Sequence, residues 1–271
     1  MQKRAMPKVS CAVILAVRNE AVHIGRMLDD YIEQGINAVV IDNGSTDETL
    51  VICEKFLGRG LLAIEHQPWH GVFDLSAQLA AKEAVVAKLP HEWVIHADAD
   101  EWLQSPVEGE SLLEGIARFS AEGFNVVNFE EFVFIPTAEV DVTHDDYRQE
   151  ILHYYYFAPG KNRRMLAWKR ADGLSNLASG GHRLTGGDIR LAPETFILRH
   201  YLVLSYQHAV AKYVGKIFSD EDLERGWHGN RRNLSADRLL LPDAEVLKRL
   251  PDWQSKQFDR TSPVARHYWQ W

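Results

Sequence analysis

Three carboxylates fall within four residues at Asp98, Asp100 and Glu101, directly after a short apolar run at 93–95. Two aspartates one residue apart supply oxygen ligands of the kind that hold a hard divalent cation. Mg²⁺ or Mn²⁺ bound by so few protein groups keeps coordination positions for substrate phosphates. The same residues suit a plain strand-to-helix turn in which Asp98 or Asp100 caps the helix. The D-x-D spacing alone leaves both readings open. A second polar cluster, Asp42-Asn43-Gly44-Ser45-Thr46-Asp47, follows another apolar run. A helix N-terminus furnished with glycine and hydroxyl groups can approach a phosphate. Ser45 with Glu48 reads as a capping box, which explains the turn but not Asp42. Arg18 and Glu20 close a third apolar run.

These clusters need a scaffold that brings strand ends together. Residues 11–17, 36–41, 61–64 and 93–95 have the length and apolar, β-rich character of buried strands. Between them, Ile24, Met27, Leu28, Tyr31 and Ile32 repeat at helical spacing up to a stop at Gly35, and further helices are expected at 46–57 and 74–89. Strands alternating with helices argue for right-handed βαβ units and a parallel sheet. In such a sheet, ligands bind beyond the carboxyl ends of the strands, where Arg18, Glu20, Asp42, Asp98 and Asp100 all fall. Beyond Glu101 a helix is expected at 112–119, a strand of alternating character at 124–135 and a helix at 203–218, the last beginning near Ser205. The charged, Trp-rich tail at 221–271 has no clear period.

At 271 residues the chain fits one large domain, or one domain with an appended subdomain. With 46% hydrophobic and 25% charged residues it has the composition of an ordinary globular protein. A net charge of −8 points away from nucleic acid or an anionic membrane as main partner. No apolar run approaches the roughly 18 residues of a transmembrane segment. The start at 1–8 is basic, but 9–17 is too interrupted for a signal peptide and reads as a first strand. Cys11 and Cys53 lack zinc or redox spacing and read as buried free thiols in a reducing compartment, which makes the expected location cytoplasmic.

The stretches Val17-Arg18-Asn19-Glu20, Val40-Ile41-Asp42-Asn43-Gly44-Ser45-Thr46-Asp47 and His96-Ala97-Asp98-Ala99-Asp100-Glu101-Trp102 together resemble the signature of GT-A glycosyltransferases of the family-2 type, in the branch with a D-x-D-E motif. Gly180-Gly181-His182 and Arg199-His200-Tyr201, followed by Ser205, Gln207 and Lys212, are similar to that branch as well. The resemblance covers about 9–216. It implies an α/β GT-A fold, a mainly parallel twisted sheet flanked by helices. The nucleotide-binding half would span about 9–102 and the acceptor half 103–216, with 217–271 a helical C-terminal extension packed on the same domain.

Carried over by position, the resemblance places Asp42 at the base or ribose of a nucleotide-sugar, with Arg18 and Glu20 bordering the same pocket. Asp98 would lie near ribose and metal. Asp100 would be a direct ligand of Mn²⁺ or Mg²⁺, and His200 would complete the metal site. Lys161, with Arg163 and Arg164, would supplement charge at the diphosphate, although a solvated basic loop explains them equally well. An inverting displacement needs a base beside the acceptor hydroxyl. His182, Asp188 and Glu131 are the alternatives. Trp69, Trp102, Tyr154, Tyr155 and Trp168 could stack on a sugar, with core packing the default for most of them.

The implied reaction is metal-dependent transfer from a nucleotide-sugar, a UDP-sugar by default, to a hydroxyl on a glycan or lipid-linked acceptor in surface-glycan synthesis. It would take place in the cytoplasm or at the inner face of the membrane. Two rivals remain. A nucleotidyltransferase would need a Gly-rich, basic phosphate loop after the first strand, which Arg18-Asn19-Glu20 does not supply. A non-catalytic nucleotide-sugar-binding module would lack the base. The Trp-rich tail is open to use as a homodimer contact, a partner contact or a packing arm.

Overall fold

The computed structural model describes residues 9–137 and 146–271, so the basic start at 1–8 lies outside the described residues. In chain order the elements are β1 (Cys11–Val17), α1 (Ala21–Glu33), β2 (Asn37–Asp42), α2 (Thr49–Glu54), β3 (Leu61–His66), α3 (Leu75–Lys88), β4 (Trp93–Ala97), β5 (Glu101–Gln104), α4 (Leu112–Ala121) and β6 (Val126–Phe134). They continue with α5 (Tyr147–Glu150), β7 (His153–Phe157), β8 (Arg164–Lys169), β9 (Phe196–His200), α6 (Tyr206–Tyr213), α7 (Asp220–Glu224) and β10 (Lys248–Arg249). The chain forms two compact units, the first from the described parts of 1–70, 76–129 and 162–197, the second from those of 71–75, 130–161 and 198–271.

In the first unit β1 pairs in parallel with β2 on one side and β4 on the other, and β3 extends the sheet beyond β2. β8 then runs antiparallel to β4, and the first residues of β6 antiparallel to β8. This is the expected α/β class, a mostly parallel central sheet flanked by helices. Ala12, Val13, Ile14 and Leu15 are fully buried, as a central strand covered on both faces requires. Helix α1 turns Ile24, Met27, Leu28 and Tyr31 inward. It ends where Gly35, at φ 81°, donates to Ile32 O and Ile36 N donates to Tyr31 O, both at 2.9 Å. This pair of hydrogen bonds satisfies carbonyls that the helix end leaves open and lets the chain reverse into β2. Both cysteines are free and buried. Burial pushes the Cys53 thiol up to about 12 and raises Cys11 as well, so neither is a ready nucleophile.

Several local expectations need correction. The helix expected at 46–57 is the shorter Thr49–Glu54, and its N-cap, Glu48, makes no side-chain cap. Ser45 lies outside the helix, and its Oγ accepts from Asn19 N at 3.0 Å, so the Ser45/Glu48 capping box does not form. The box that does form joins Ser111 and Glu114 at the start of α4. The acidic triplet leads from β4 into β5, not into a helix, so neither Asp98 nor Asp100 caps one. The helix expected at 203–218 is confined to Tyr206–Tyr213, although Ser205 does cap it by accepting from His208 N at 3.0 Å.

In the second unit the later residues of β6 pair antiparallel with β7, and β7 with β10. Its core is strongly aromatic: Phe132 stacks on Phe258 at 3.9 Å and Phe134 on Tyr201 at 4.8 Å. The tail is not the helical extension expected. Among the described residues of 217–271 it offers only the five-residue α7, short 3₁₀ turns and β10. Pro242, Pro251 and Pro263 break up any longer helix. Tyr268 and Trp269 are buried in the same core cluster as Val133, Tyr155, Leu202 and Tyr213, so the chain's end serves as a packing arm. Among the described residues no helix is long and apolar enough to cross a membrane. Trp269→Ala is expected to destabilise the protein by about 3–5 kcal/mol, read as a fall in the urea midpoint.

Candidate active site

The site is built at the carboxyl ends of β1, β2 and β4, which register places side by side. Val17 stands opposite Asp42, and Leu15 opposite Ala97. Arg18, Glu20, Asp42, Asp98 and Asp100 therefore lie at one edge of one sheet.

The first two turns are stitched to each other. The buried Asp42 carboxylate accepts from Gly44 N and Ser45 N, each at 3.1 Å, and so shapes its own turn. Arg18 donates from Nη1 to Asn43 O at 3.0 Å and to Gly44 O, and its guanidinium lies 4.1 Å above the centre of the Trp69 ring. Gly44 has φ +68°, and a Cβ there would meet Trp69 Cβ at 2.9 Å, so both conformation and space call for glycine. Asn19 Oδ1 accepts from Thr46 N at 2.8 Å, and Asp47 Oδ1 accepts from Thr49 N at 3.0 Å. Asp47 Oδ2 also accepts from Ala21 N at 3.2 Å, and Thr49 Oγ1 from Glu20 N at 2.8 Å. The Glu20 carboxylate stands 4.0 Å from His23 Nε2.

The third turn carries the D-x-D pair. The Asp98 side chain is 65% exposed, whereas Asp100 is 6% exposed, so the two carboxylates occupy different environments. Glu101 acts as a strut. Its Oε2 accepts from Asp98 N at 3.2 Å, and its Oε1 lies 3.3 Å from Arg164 Nη1. Arg164 is thereby removed from the solvated-loop reading: it is a buried residue of β8. The same Nη1 donates to His182 Nδ1 at 3.1 Å. A guanidinium only donates, so His182 carries its neutral-form proton on Nε2 and offers a donor there, which counts against it as base.

The remaining expected residues are distributed as follows. Asp188 is a carboxylate of the first unit, 87% exposed and 4.0 Å from Arg190 Nε. Lys161 is an exposed residue of the second unit. Glu131 and His200 also belong to the second unit, where Glu131 Oε1 pairs with His200 Nδ1 at 2.7 Å, both side chains buried. Two residues assigned to separate roles thus form one carboxylate–imidazole pair. Of the aromatics, Trp102, Tyr154, Tyr155 and Trp168 are buried in cores, and Trp69 is half-buried over Arg18.

Two neighbours of the D-x-D turn escaped sequence reasoning. Lys82 of α3 donates from Nζ to Ala97 O at 3.1 Å and lies 3.6 Å from Asp98 Oδ1. Its signal was present, since Lys82 falls at helical spacing between Leu79 and Val85, both buried on the inward side of α3, a place where a lysine is out of character. His96 of β4 is buried against Trp168 at 4.6 Å, with Nδ1 3.1 Å from Asn176 Nδ2. Burial, with help from the Lys82 charge, pushes its pKa well below the ordinary histidine value.

Among the described residues no group of three or more His, Cys, Asp or Glu is arranged to hold a metal ion. The hard oxygens of Asp98 and Asp100 suit Mg²⁺ or Mn²⁺ where the ion takes its other ligands from a diphosphate and water.

Comparison with known proteins bears on what this edge is for. Residues 12–132 match the model of glycosyl transferase family 2. In that segment the chain is similar to family-2 glycosyltransferases. The segment holds Arg18, Glu20, Asp42, Lys82, Asp98, Asp100, Glu101 and Glu131, and leaves Arg164, His182, Asp188 and His200 outside. The lipopolysaccharide core biosynthesis glycosyltransferase LpsC of Rhizobium meliloti is 24% identical over 99 residues, 36% of this chain and 34% of that protein. An uncharacterized glycosyltransferase of Rickettsia prowazekii is 30% identical over 105 residues, 39% of this chain and 32% of that protein. The matched stretch thus spans about a third of the length of these curated relatives. The structure of S. aureus TarS 1–349 in complex with UDP superposes with a TM-score of 0.45 at 13% identity, covering 85% of this chain and 69% of that one. That likeness is too slight to bear on fold or ligand.

The buried His96 sets a pH dependence. Its pKa is depressed in the folded state, so the unfolded chain takes up a proton near pH 6.5 that the native chain refuses. Its contribution is complete above that pH and is lost as pH falls, by about 1.4 kcal/mol per pH unit until the folded pKa is reached. His96→Gln is expected to flatten the decline in urea-unfolding free energy between pH 7 and pH 5.

Proposed function

We propose that the protein transfers a sugar from a nucleotide-sugar donor to a hydroxyl acceptor, with the donor's nucleotide and diphosphate at the carboxyl ends of β1, β2 and β4. The observation that carries this reading is the placement of Asp42, at the end of β2, and Asp98, just past β4, on either side of β1 at one edge of a segment that matches the family-2 model. Asp42 and the Arg18–Trp69 stack offer a carboxylate, a cation and an aromatic face for the base and ribose. The main-chain N–H groups of the 43–47 turn are mostly tied to Asp42 and Asn19, which makes that turn a rigid wall.

Bound Mg²⁺ or Mn²⁺, held by Asp98 and Asp100, would neutralise charge developing on the departing nucleoside diphosphate. Glu101 and Arg164 hold the Asp98 main chain in place for that purpose. In an inverting displacement the acceptor hydroxyl gives its proton to a protein base. Asp188 offers an exposed carboxylate for this step. A UDP-sugar donor, a glycan or lipid-linked acceptor and a cytoplasmic setting at the membrane's inner face complete the proposal. The glycan acceptor draws support from the name of the Rhizobium relative, which places that protein in lipopolysaccharide core synthesis. A nucleotidyltransferase is disfavoured: the turn after β1 is Arg18-Asn19-Glu20, with Asn19 at φ 56°, and not a glycine-rich phosphate loop.

The test is release of nucleoside diphosphate from UDP-, GDP- and dTDP-hexoses, with Mn²⁺, in the presence of a glycolipid extract. One donor class is expected to turn over, with Asp98→Asn and Asp100→Asn each slowing it about 100-fold or more. Asp188→Asn is expected to cost about 100-fold or more. Folded protein that binds nucleotide but turns over no donor would make it a binding module instead.

A further inference from the structure

Lys82 lies on the inward stripe of α3 and is only 7% exposed, yet its ammonium faces one of the two D-x-D carboxylates from beneath. Nζ is 3.6 Å from Asp98 Oδ1 and donates to the carbonyl of Ala97, the last residue of β4. Taking an ammonium out of water is costly unless it is paired and hydrogen-bonded. An apolar side chain of the same length would cover the neighbouring Leu79 and Val85 without that cost. Bulk alone therefore does not explain the position. Its charge does something that packing does not.

A fixed positive charge under this turn acts in opposite directions on the two ligands that a glycosyl donor brings. It repels a divalent cation approaching Asp98, and it attracts phosphate oxygens arriving at the same edge. It also ties down the Asp98 carboxylate, which is otherwise solvent-exposed and free to change rotamer. We propose that Lys82 is a positioning residue of the donor site, which holds Asp98 and, through its charge, makes the site bind a divalent cation well only together with a nucleoside diphosphate. This role rests on the donor-site reading above. It adds to that reading a reason why the D-x-D turn would not fill with metal in the absence of donor.

The experiment uses the full chain and compares wild type, Lys82→Met, Asp98→Asn and the double variant. Binding of Mn²⁺ alone is followed by electron paramagnetic resonance. Binding of UDP, GDP and dTDP without metal is followed by calorimetry. Lys82→Met is expected to bind Mn²⁺ about 10-fold more tightly and the preferred nucleotide about 10-fold more weakly, since one charge is removed from both balances. The gain for Mn²⁺ is expected to shrink in the Asp98→Asn background, where Lys82 no longer competes for the carboxylate and only its repulsion of the cation remains. Lys82→Gln, which keeps a donor for Ala97 O, is expected to shift both constants in the same directions and serves if the methionine variant does not fold. Constants that move together, as a general loosening of the turn would make them, overturn the proposal, as do unchanged constants in a folded variant. Wild-type protein that binds neither Mn²⁺ nor any of the nucleotides defeats the donor-site reading itself, and Lys82's role with it.

Discussion

The register that holds β1 between β2 and β4, with Val17 opposite Asp42 and Leu15 opposite Ala97, is the constraint on which the site depends. β1 is paired on both edges and covered on both faces, and from Cys11 to Val17 it is entirely apolar. A one-residue slip against either neighbour would move every side chain of a strand to the opposite face. Register is thereby fixed, and with it the height at which Arg18, Asp42 and Asp98 leave the sheet. The carboxylates of these three strands appear only where the strands stop, where they can reach solvent or one another's turns.

Rigidity at that edge comes from turns that satisfy each other. The β1–α1 and β2–α2 connections exchange hydrogen bonds through Asn19, Ser45, Asp47 and Thr49, the last accepting from Glu20 N. Each such bond contributes about 1 kcal/mol, but their joint effect is to leave the backbone one arrangement. The third turn is stiffened by the Glu101 bond to Asp98 N and by the buried Glu101–Arg164 pair. A site whose polar groups are already oriented has less to reorganise when charge develops on a leaving group. Glu101 thus fixes the Asp98 main chain.

The βαβ order and the strand ends were legible in the sequence because hydrophobic periodicity and strand-end chemistry are local. What sequence reading missed was tertiary. Ser45 looks like a cap to anything that counts four residues, but its hydroxyl belongs to Asn19 N across the turn. Arg164 looks like one of a basic loop, but β8 carries it inward to Glu101, 63 positions earlier. Glu131 and His200 looked like independent candidates because 69 residues separate them, and only the folded second unit shows that they are one pair. The tail gave no period because its aromatic residues enter a core singly, from turns, without a helix or strand to space them.

The central claim is that the D-x-D edge holds a nucleoside diphosphate through a divalent cation. Its most direct test is calorimetric titration of UDP, GDP and dTDP into the wild type and Asp100→Ala, each with and without Mn²⁺. The account predicts that one nucleotide binds tightly with Mn²⁺ and that Asp100→Ala loses this binding while melting at the wild-type temperature. Folded wild-type protein that binds no nucleotide with Mn²⁺, or an Asp100→Ala variant that binds as well as wild type, would contradict it.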